Sequence, residues 1–349
     1  MFIAPCNKFP KQTSYPVDTW SYSVTVADVN GDSKSDIIAT SSGTGKLSVF
    51  LNNGNGTFAD RVTYGTGNQP QFAVAADVNG DNKLDIIVAN VWGNSVSVFL
   101  NKGNGTFASQ AMYPAMTAPI SVTAGDVNGD NKVDIIVANY GSHNVGVLLN
   151  NGDGTFTPQV TYPAGNTTNS VVTVDVNGDN KLDIIASNSV SNDVSVFLNN
   201  GDGTFASHVT YPTGNTPRSV TTADVNGDSK ADIIVANMGS NNVRVLLNNG
   251  NGIFTSQVTY STGFSPYSVT TADINGDSKL DLVVANAGSN YISVLRGNGN
   301  GTFAAQVTYS TVSSSSMVVA TDVNGDSLVD IIFMSTSSNS VGVLLAACN

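Results

Sequence analysis

The chain has 349 residues, a formal net charge of −12 and only 11% charged side chains. All 26 acidic residues are Asp, against 14 Lys and Arg. The absence of a basic stripe argues against nucleic-acid binding, and no apolar run approaches a transmembrane segment.

In chain order, Met1 to Lys8 lacks the apolar core of a signal peptide. Phe9 to Tyr15 reads as a lone strand. After it, the motif Asp-Val-Asn-Gly-Asp, with Ile for Val once, recurs every 49 residues. It begins at Asp28, Asp77, Asp126, Asp175, Asp224, Asp273 and Asp322. A fixed period of this size marks supersecondary units that cannot bury their apolar faces alone. In the second repeat, Phe72 to Ala76 is a short strand ending at the Asp77 loop. Leu84 to Ala89 reads as a buried strand and Ser95 to Leu100 as a half-buried one. A Gly-rich turn follows at 101–105, then a fourth strand from Phe107 to Tyr113. Four antiparallel strands repeated seven times predict an all-β, seven-bladed β-propeller that occupies the chain as a single domain. A parallel β-helix has shorter coils and lacks these hairpin turns.

The last repeat stops after a third strand, Val341 to Leu345, so the Phe9–Tyr15 strand is predicted to complete blade seven and close the ring. In that register Cys348 falls beside Cys6, the only other cysteine. A disulfide there would remove on the order of 5 kcal/mol of unfolded-state entropy and implies an oxidising, extracellular compartment. Phe9, Phe58, Phe107, Phe156, Phe205, Phe254 and Phe303 share one repeat position. Tyr15, Tyr64, Tyr113, Tyr162, Tyr211, Tyr260 and Tyr309 share another, six residues on. The even offset predicts that both lie on one face of the fourth strand, for packing between blades.

The recurring loop is a string of oxygen donors at positions 1, 3, 5 and 9. These are Asp28, Asn30, Asp32 and Asp36; Asp77, Asn79, Asp81 and Asp85; Asp126, Asn128, Asp130 and Asp134; and Asp175, Asn177, Asp179 and Asp183. In the last three repeats they are Asp224, Asn226, Asp228 and Asp232; Asp273, Asn275, Asp277 and Asp281; and Asp322, Asn324, Asp326 and Asp330. Position 7 would add a backbone carbonyl from Lys34, Lys83, Lys132, Lys181, Lys230, Lys279 or Leu328. Three carboxylates, an amide oxygen, a carbonyl and water suit Ca²⁺, about one ion per blade; zinc would call for His or Cys. The loop is no EF-hand, because its Gly stands at position 4 and position 12 is apolar. Seven ions would bring the formal charge from −12 to about +2. An ion-free Asx-turn hairpin is the alternative.

A D-x-[DN]-x-D-x-x-x-D loop between the first two strands of a blade resembles the FG-GAP/VCBS repeats, the seven-bladed propellers of integrin α-subunits and of many secreted proteins. The resemblance spans nearly the whole chain and implies Ca²⁺ at the loop residues named above. The chain lacks a literal FG…GAP cadence and has more calcium loops than integrin-type propellers, so no partner carries over.

The calcium loops and Gly-rich turns are nearly constant and are predicted to share one face of the disc. The fourth-to-first and second-to-third connections form the other face, and there the residues vary. Six residues before each loop stand Tyr22, Gln71, Ile120, Asn169, Arg218, Tyr267 and Ser316; after the second strand stand Ser42, Val91, Tyr140, Ser189, Met238, Ala287 and Thr336. Trp92, Phe264 and His143 lie nearby. Tyr22, Trp92, Tyr140, Arg218 and Tyr267 are the ligand-binding candidates. No catalytic set emerges: the carboxylates outside the loops, Asp18, Asp60, Asp153, Asp193 and Asp202, are scattered, and Asp153 and Asp202 read as turn formers. Sequons at Asn55, Asn104, Asn166 and Asn300 are possible glycosylation sites. The sequence therefore predicts a secreted calcium-binding module that is not an enzyme and binds an extracellular protein or glycan. Alternatives are a lectin, a structural unit of an extracellular assembly and, less favoured, a glycan-processing enzyme.

Overall fold

A computed structural model describes residues 8–348. The first repeat forms strands Ser21–Ala27, Asp36–Ser41, Lys46–Phe50 and Val62–Gly65, hydrogen-bonded in that order as one antiparallel sheet. Seven such four-stranded sheets are present, and their first strands contact one another around the ring. The seventh contains Ser315–Thr321, Asp330–Ser335 and Ser340–Ala347, and takes its outer strand, Lys8–Pro16, from the start of the chain. Tyr15 pairs with Val341 and Lys8 with Ala347, closing the ring as the register predicts. Cys348 follows directly; Cys6 lies outside the described residues. Among the described residues helix is limited to one short 3₁₀ turn, Met238–Ser240, and no helix is long and apolar enough to cross a membrane.

The second strand of every blade is buried at all six positions. Side chains alternate between the two faces of a strand, so burial at every position requires cover on both faces, which one blade cannot supply for itself. Apolar residues accordingly gather in seven clusters, each drawn from two neighbouring blades. In one, Ile37 and Phe50 of blade one pack on Ile332 and Val343 of blade seven.

In blades five and seven the fourth strand includes its Phe, Phe254 or Phe9, as expected, but in the other five it begins later: in blade two it is Ala111–Pro114, and Phe107 makes only an isolated bridge with Asn101. Val98 pairs with Ala111, so one extra residue separates the two pairings on the outer side. This bulge reverses the side-chain parity. Phe and Tyr of one repeat therefore point to opposite neighbours, and the expectation that they share a face is wrong. Tyr64 meets Phe107 of the next blade edge-on at 5.5 Å, and Tyr113 meets Phe156 at 5.2 Å. The series ends with Tyr309 against Phe9 at 4.8 Å, across the chain closure. The Tyr hydroxyls also cross the interface: Tyr113 donates to the Gly154 carbonyl at 3.0 Å.

A buried Asn fastens adjacent blades on the loop side. Asn150 Nδ2 donates to Val78 O of the preceding blade and to Val133 O of its own, each at 2.8 Å. Asn52 does the same with Val323 O and Ser35 O, linking blade one to blade seven. Gly297 and Ala346 take this position in blades six and seven. Replacing Asn150 with Ala leaves two buried carbonyls without these donors. It should cost about 2–3 kcal/mol, against under about 0.5 kcal/mol for Asn151→Ala in the exposed turn. Equilibrium denaturation of both variants checks this, and equal losses would discount the fastening role.

Candidate functional site

The repeated loop folds around its own carboxylates. In blade four, Asp175 Oδ1 accepts backbone N–H bonds from Asn177, Gly178 and Asp179 at 3.1, 2.7 and 3.3 Å, and its Oδ2 accepts from Asn180 at 2.7 Å. Asn177 Oδ1 accepts from Asp179 N, and Asp179 Oδ1 from Lys181 N, both at 3.0 Å. These bonds need the sharp turn at Gly178 and Asn180, whose φ values are +79° and +61°. The position-5 Asp and position-7 Lys face each other: Lys83 Nζ lies 3.0 Å and Lys181 Nζ 3.7 Å from the respective carboxylates. Such exposed pairs contribute at most about 1 kcal/mol.

Position 9 has a different role from the other three. Asp36, Asp85, Asp134, Asp183, Asp232, Asp281 and Asp330 are each fully buried. Asp183 accepts from Val176 N at 3.0 Å, inside the loop, and from Asn199 N at 2.8 Å, where the Gly-rich turn begins. It thus ties the loop to the turn. Burial pushes its carboxyl above the ordinary range; the two backbone donors oppose this, and Asp179 and Asp175 add to the rise. The same forces push Asp281 and Asp330 up to about 6. Among the described residues no three acidic side chains are gathered in metal-holding geometry. The donor set nonetheless fits a hard divalent cation. Positions 1 and 5 repel position 9 in every loop, a repulsion such an ion would relieve, and each carboxylate has acceptor sites beyond the bonds described.

At the other end of the inner strands, the chain enters through a residue with positive φ in six blades: Trp20, Gln69, Ala118, Thr167, Thr216 and Ser265. A bulge follows at once. Pro217 pairs with Asn237 and Ser219 with Ala236, leaving Arg218 as the extra residue. Gln71, Ile120, Asn169, Tyr267 and Ser316 are the extra residues of their blades in the same way, and Tyr22 lies within the corresponding shift. A bulge re-aims a side chain. Here it brings Tyr22, Gln71, Ile120, Asn169, Arg218 and Tyr267 together around a central cavity of about 270 Å³, lined by the inner strands of all seven blades. Six of the seven variable positions that stand six residues before the loops thus converge on one cavity. The sequence reading missed the bulge, although a signal was present: Pro70, Pro119, Pro217 and Pro266 precede four of the seven positions, and Pro within a strand marks its first residue or a bulge.

The remaining candidates sit farther out on the same face. Second-to-third turns bond to fourth-to-first connections, as in Ser42 N to Trp20 O and Tyr140 N to Ala118 O, both at 3.0 Å. Trp20, Trp92 and Phe264 are 60%, 67% and 67% exposed there, and Tyr140 is exposed. His143 is architectural: its Nδ1 accepts from Thr167 N at 2.9 Å, as Asn94 and Asn192 Oδ1 accept from Ala118 N and Thr216 N. Asp153 and Asp202 each accept from a Thr two residues on, as turn formers do. Asp18 is engaged by Arg61, Lys46 and Thr44.

The FG-GAP-like repeat profile matches six overlapping segments, 28–88, 77–137, 126–186, 175–235, 224–284 and 273–333. The chain belongs to the FG-GAP-like repeat family. No curated protein sequence matches it. Solved structures similar to this FG-GAP-like propeller include an Agrocybe aegerita lectin described as recognising non-reducing terminal N-acetylglucosamine. The two are 24% identical with a TM-score of 0.61, over 85% of this chain and 81% of that one. Virginiamycin B lyase from Staphylococcus aureus is 15% identical with a TM-score of 0.67, covering 95% and 98%. A functionally unknown protein from Desulfotomaculum acetoxidans is 12% identical with a TM-score of 0.64, covering 89% and 94%. These likenesses are of fold.

The burial of position 9 and the exposure of position 5 predict different contributions to stability. In excess chelator, Asp183→Asn should destabilise the protein by about 1–3 kcal/mol, because an amide N–H₂ replaces one of two buried acceptors. Asp179→Asn keeps its acceptor toward Lys181 N and should change stability by less than about 0.5 kcal/mol. Melting curves in EDTA test this, and equal shifts would remove the distinction.

Proposed function

We propose that this FG-GAP-like propeller is an extracellular binding module that holds a glycan or protein ligand over the mouth of its central channel. One observation carries the reading. Six equivalent bulged positions, with five different side-chain types among them, converge on a single cavity set in an otherwise repetitive frame. A surface built to bind varies where the scaffold does not, and pockets of few convergent polar groups among apolar ones suit small ligands. The cavity lining has no Asp, Glu, His or Cys, which favours binding over catalysis at this place. The lectin description of the Agrocybe aegerita protein favours a glycan as the first ligand class to test.

In this reading the loops carry structural Ca²⁺ on the opposite face. Asp, Asn and Asp at positions 1, 3 and 5, with the carbonyl of position 7, would hold the ion, while position 9 orients the loop and adds charge. A Cys6–Cys348 disulfide would lock the closing strand, and with it the protein belongs outside the cell.

Calcium should raise the melting temperature of metal-stripped protein. Dithiothreitol should lower that of the calcium-loaded form by releasing the closing strand. A curve unmoved by EDTA and calcium would sink the calcium reading, and one unmoved by reductant would sink the disulfide.

On a glycan array, calcium-loaded protein should show selective binding that falls at least tenfold in Tyr22→Ala and Tyr267→Ala. Binding kept in both variants but lost in Trp92→Ala or Tyr140→Ala would move the site from the channel to the rim.

A further inference from the structure

The central cavity is ringed by neutral side chains with one exception, Arg218. Its guanidinium is held on two sides by the equivalent residues of the adjoining blades. One nitrogen donates to Asn169 Oδ1 and the other to the Tyr267 hydroxyl. The guanidinium carbon also lies 4.4 Å from the centre of the Tyr267 ring. Both partners are neutral, so they fix the group without cancelling its charge. Arg61, by contrast, pairs with the Asp18 carboxylate at 2.6 Å.

No carboxylate lines the cavity. Asp224, the first residue beyond the end of the same inner strand, is six residues along. At about 3.3 Å per residue that places it roughly 20 Å away, beyond the screening length of about 8 Å at physiological salt. Arg218 is therefore a locally unopposed cation in a half-enclosed, mostly apolar site. Its guanidinium has five N–H donors and spends two of them on Asn169 and Tyr267, leaving donors for a ligand. Arg suits planar, two-oxygen anions, and holding it in advance lowers the ordering cost of binding.

The size and lining of the cavity narrow the class of ligand. About 270 Å³ is below the roughly 300–1,000 Å³ of ordinary small-molecule pockets, so it admits one ring-sized unit rather than a folded peptide segment. Tyr22 offers aromatic surface to the C–H face of a sugar, and Gln71 offers an amide to its hydroxyls. We propose that Arg218, fixed by Asn169 and Tyr267, makes the channel mouth a site for a sugar bearing a carboxylate. This rests on the binding reading above and goes further by naming the charge the site selects.

The test titrates calcium-loaded protein with glucuronic acid, N-acetylneuraminic acid, glucose and N-acetylglucosamine, followed by NMR or calorimetry. The acidic sugars should bind at least tenfold more tightly than the neutral ones, with a preference that shrinks in high salt. Arg218→Met should lose about 10- to 100-fold for acidic sugars, as expected for a hydrogen bond to a charged group, while neutral sugars change little. Asn169→Ala removes only the positioning contact and should give a smaller loss of the same sign. It keeps the test available if Arg218→Met fails to fold. Equal binding of neutral and acidic sugars, or acidic binding unaffected by either variant, would overturn the charge selection and leave the binding module standing. Binding of a peptide C-terminal carboxylate but of no sugar would overturn the saccharide assignment. Failure of every sugar and of that peptide to bind at the channel would remove the proposed function itself.

Discussion

The structure depends on the contact between neighbouring blades. A second strand such as Ile86–Ala89 is apolar on both faces, and its own sheet covers neither. The seven two-blade clusters cover them, and hydrophobic burial there supplies most of the folding free energy. A single repeat lacks a core, which is why stability must come from the ring as a whole. The edge-on Tyr–Phe pairs and the buried Asn bonds give direction to an interface that apolar contact alone would leave free to slide. Closure matters for the same reason: with the Lys8–Pro16 strand in blade seven, the Tyr309–Phe9 and Tyr15–Phe58 contacts complete the ring of aromatic pairs.

A constant frame leaves the two faces of the disc free to differ. On one, each loop is wound around its carboxylates, and the buried position-9 Asp ties it to the adjacent turn. Loop shape there is part of the scaffold, so it cannot vary much. On the other, the bulge at the start of each inner strand presents one side chain to the channel without disturbing the ladder beyond it. That position holds residues as different as Ile120 and Arg218, because its side chain lines the cavity and is only partly buried against the neighbouring blades. The lining of the channel mouth can therefore differ while the ring stays the same.

Much of this was legible in the chain. The 49-residue period, the lone Phe9–Tyr15 strand and the truncated last repeat together determined a closed seven-bladed ring, because strand count and register follow from periodicity. The pattern Asp-x-Asn-x-Asp-x-x-x-Asp marked the loops as oxygen-rich. What misled was the parity of the fourth strand: an even offset between Phe107 and Tyr113 predicts a shared face only if the strand is regular, and one extra residue reversed it.

Tertiary structure decided which of the variable residues act together. Tyr22, Asn169, Arg218 and Tyr267 share one repeat position, but no repeat by itself shows that this position bulges toward the axis; Trp92 and Tyr140 looked equally promising. The sequence by itself determined the repeat, the ring and the acidic loops, all of which are set by short-range pattern and period. Only the folded ring could place Arg218 between Asn169 and Tyr267. That neighbourhood is made by three successive blades bulging toward one axis, and an axis is a property of the closed assembly rather than of any one repeat.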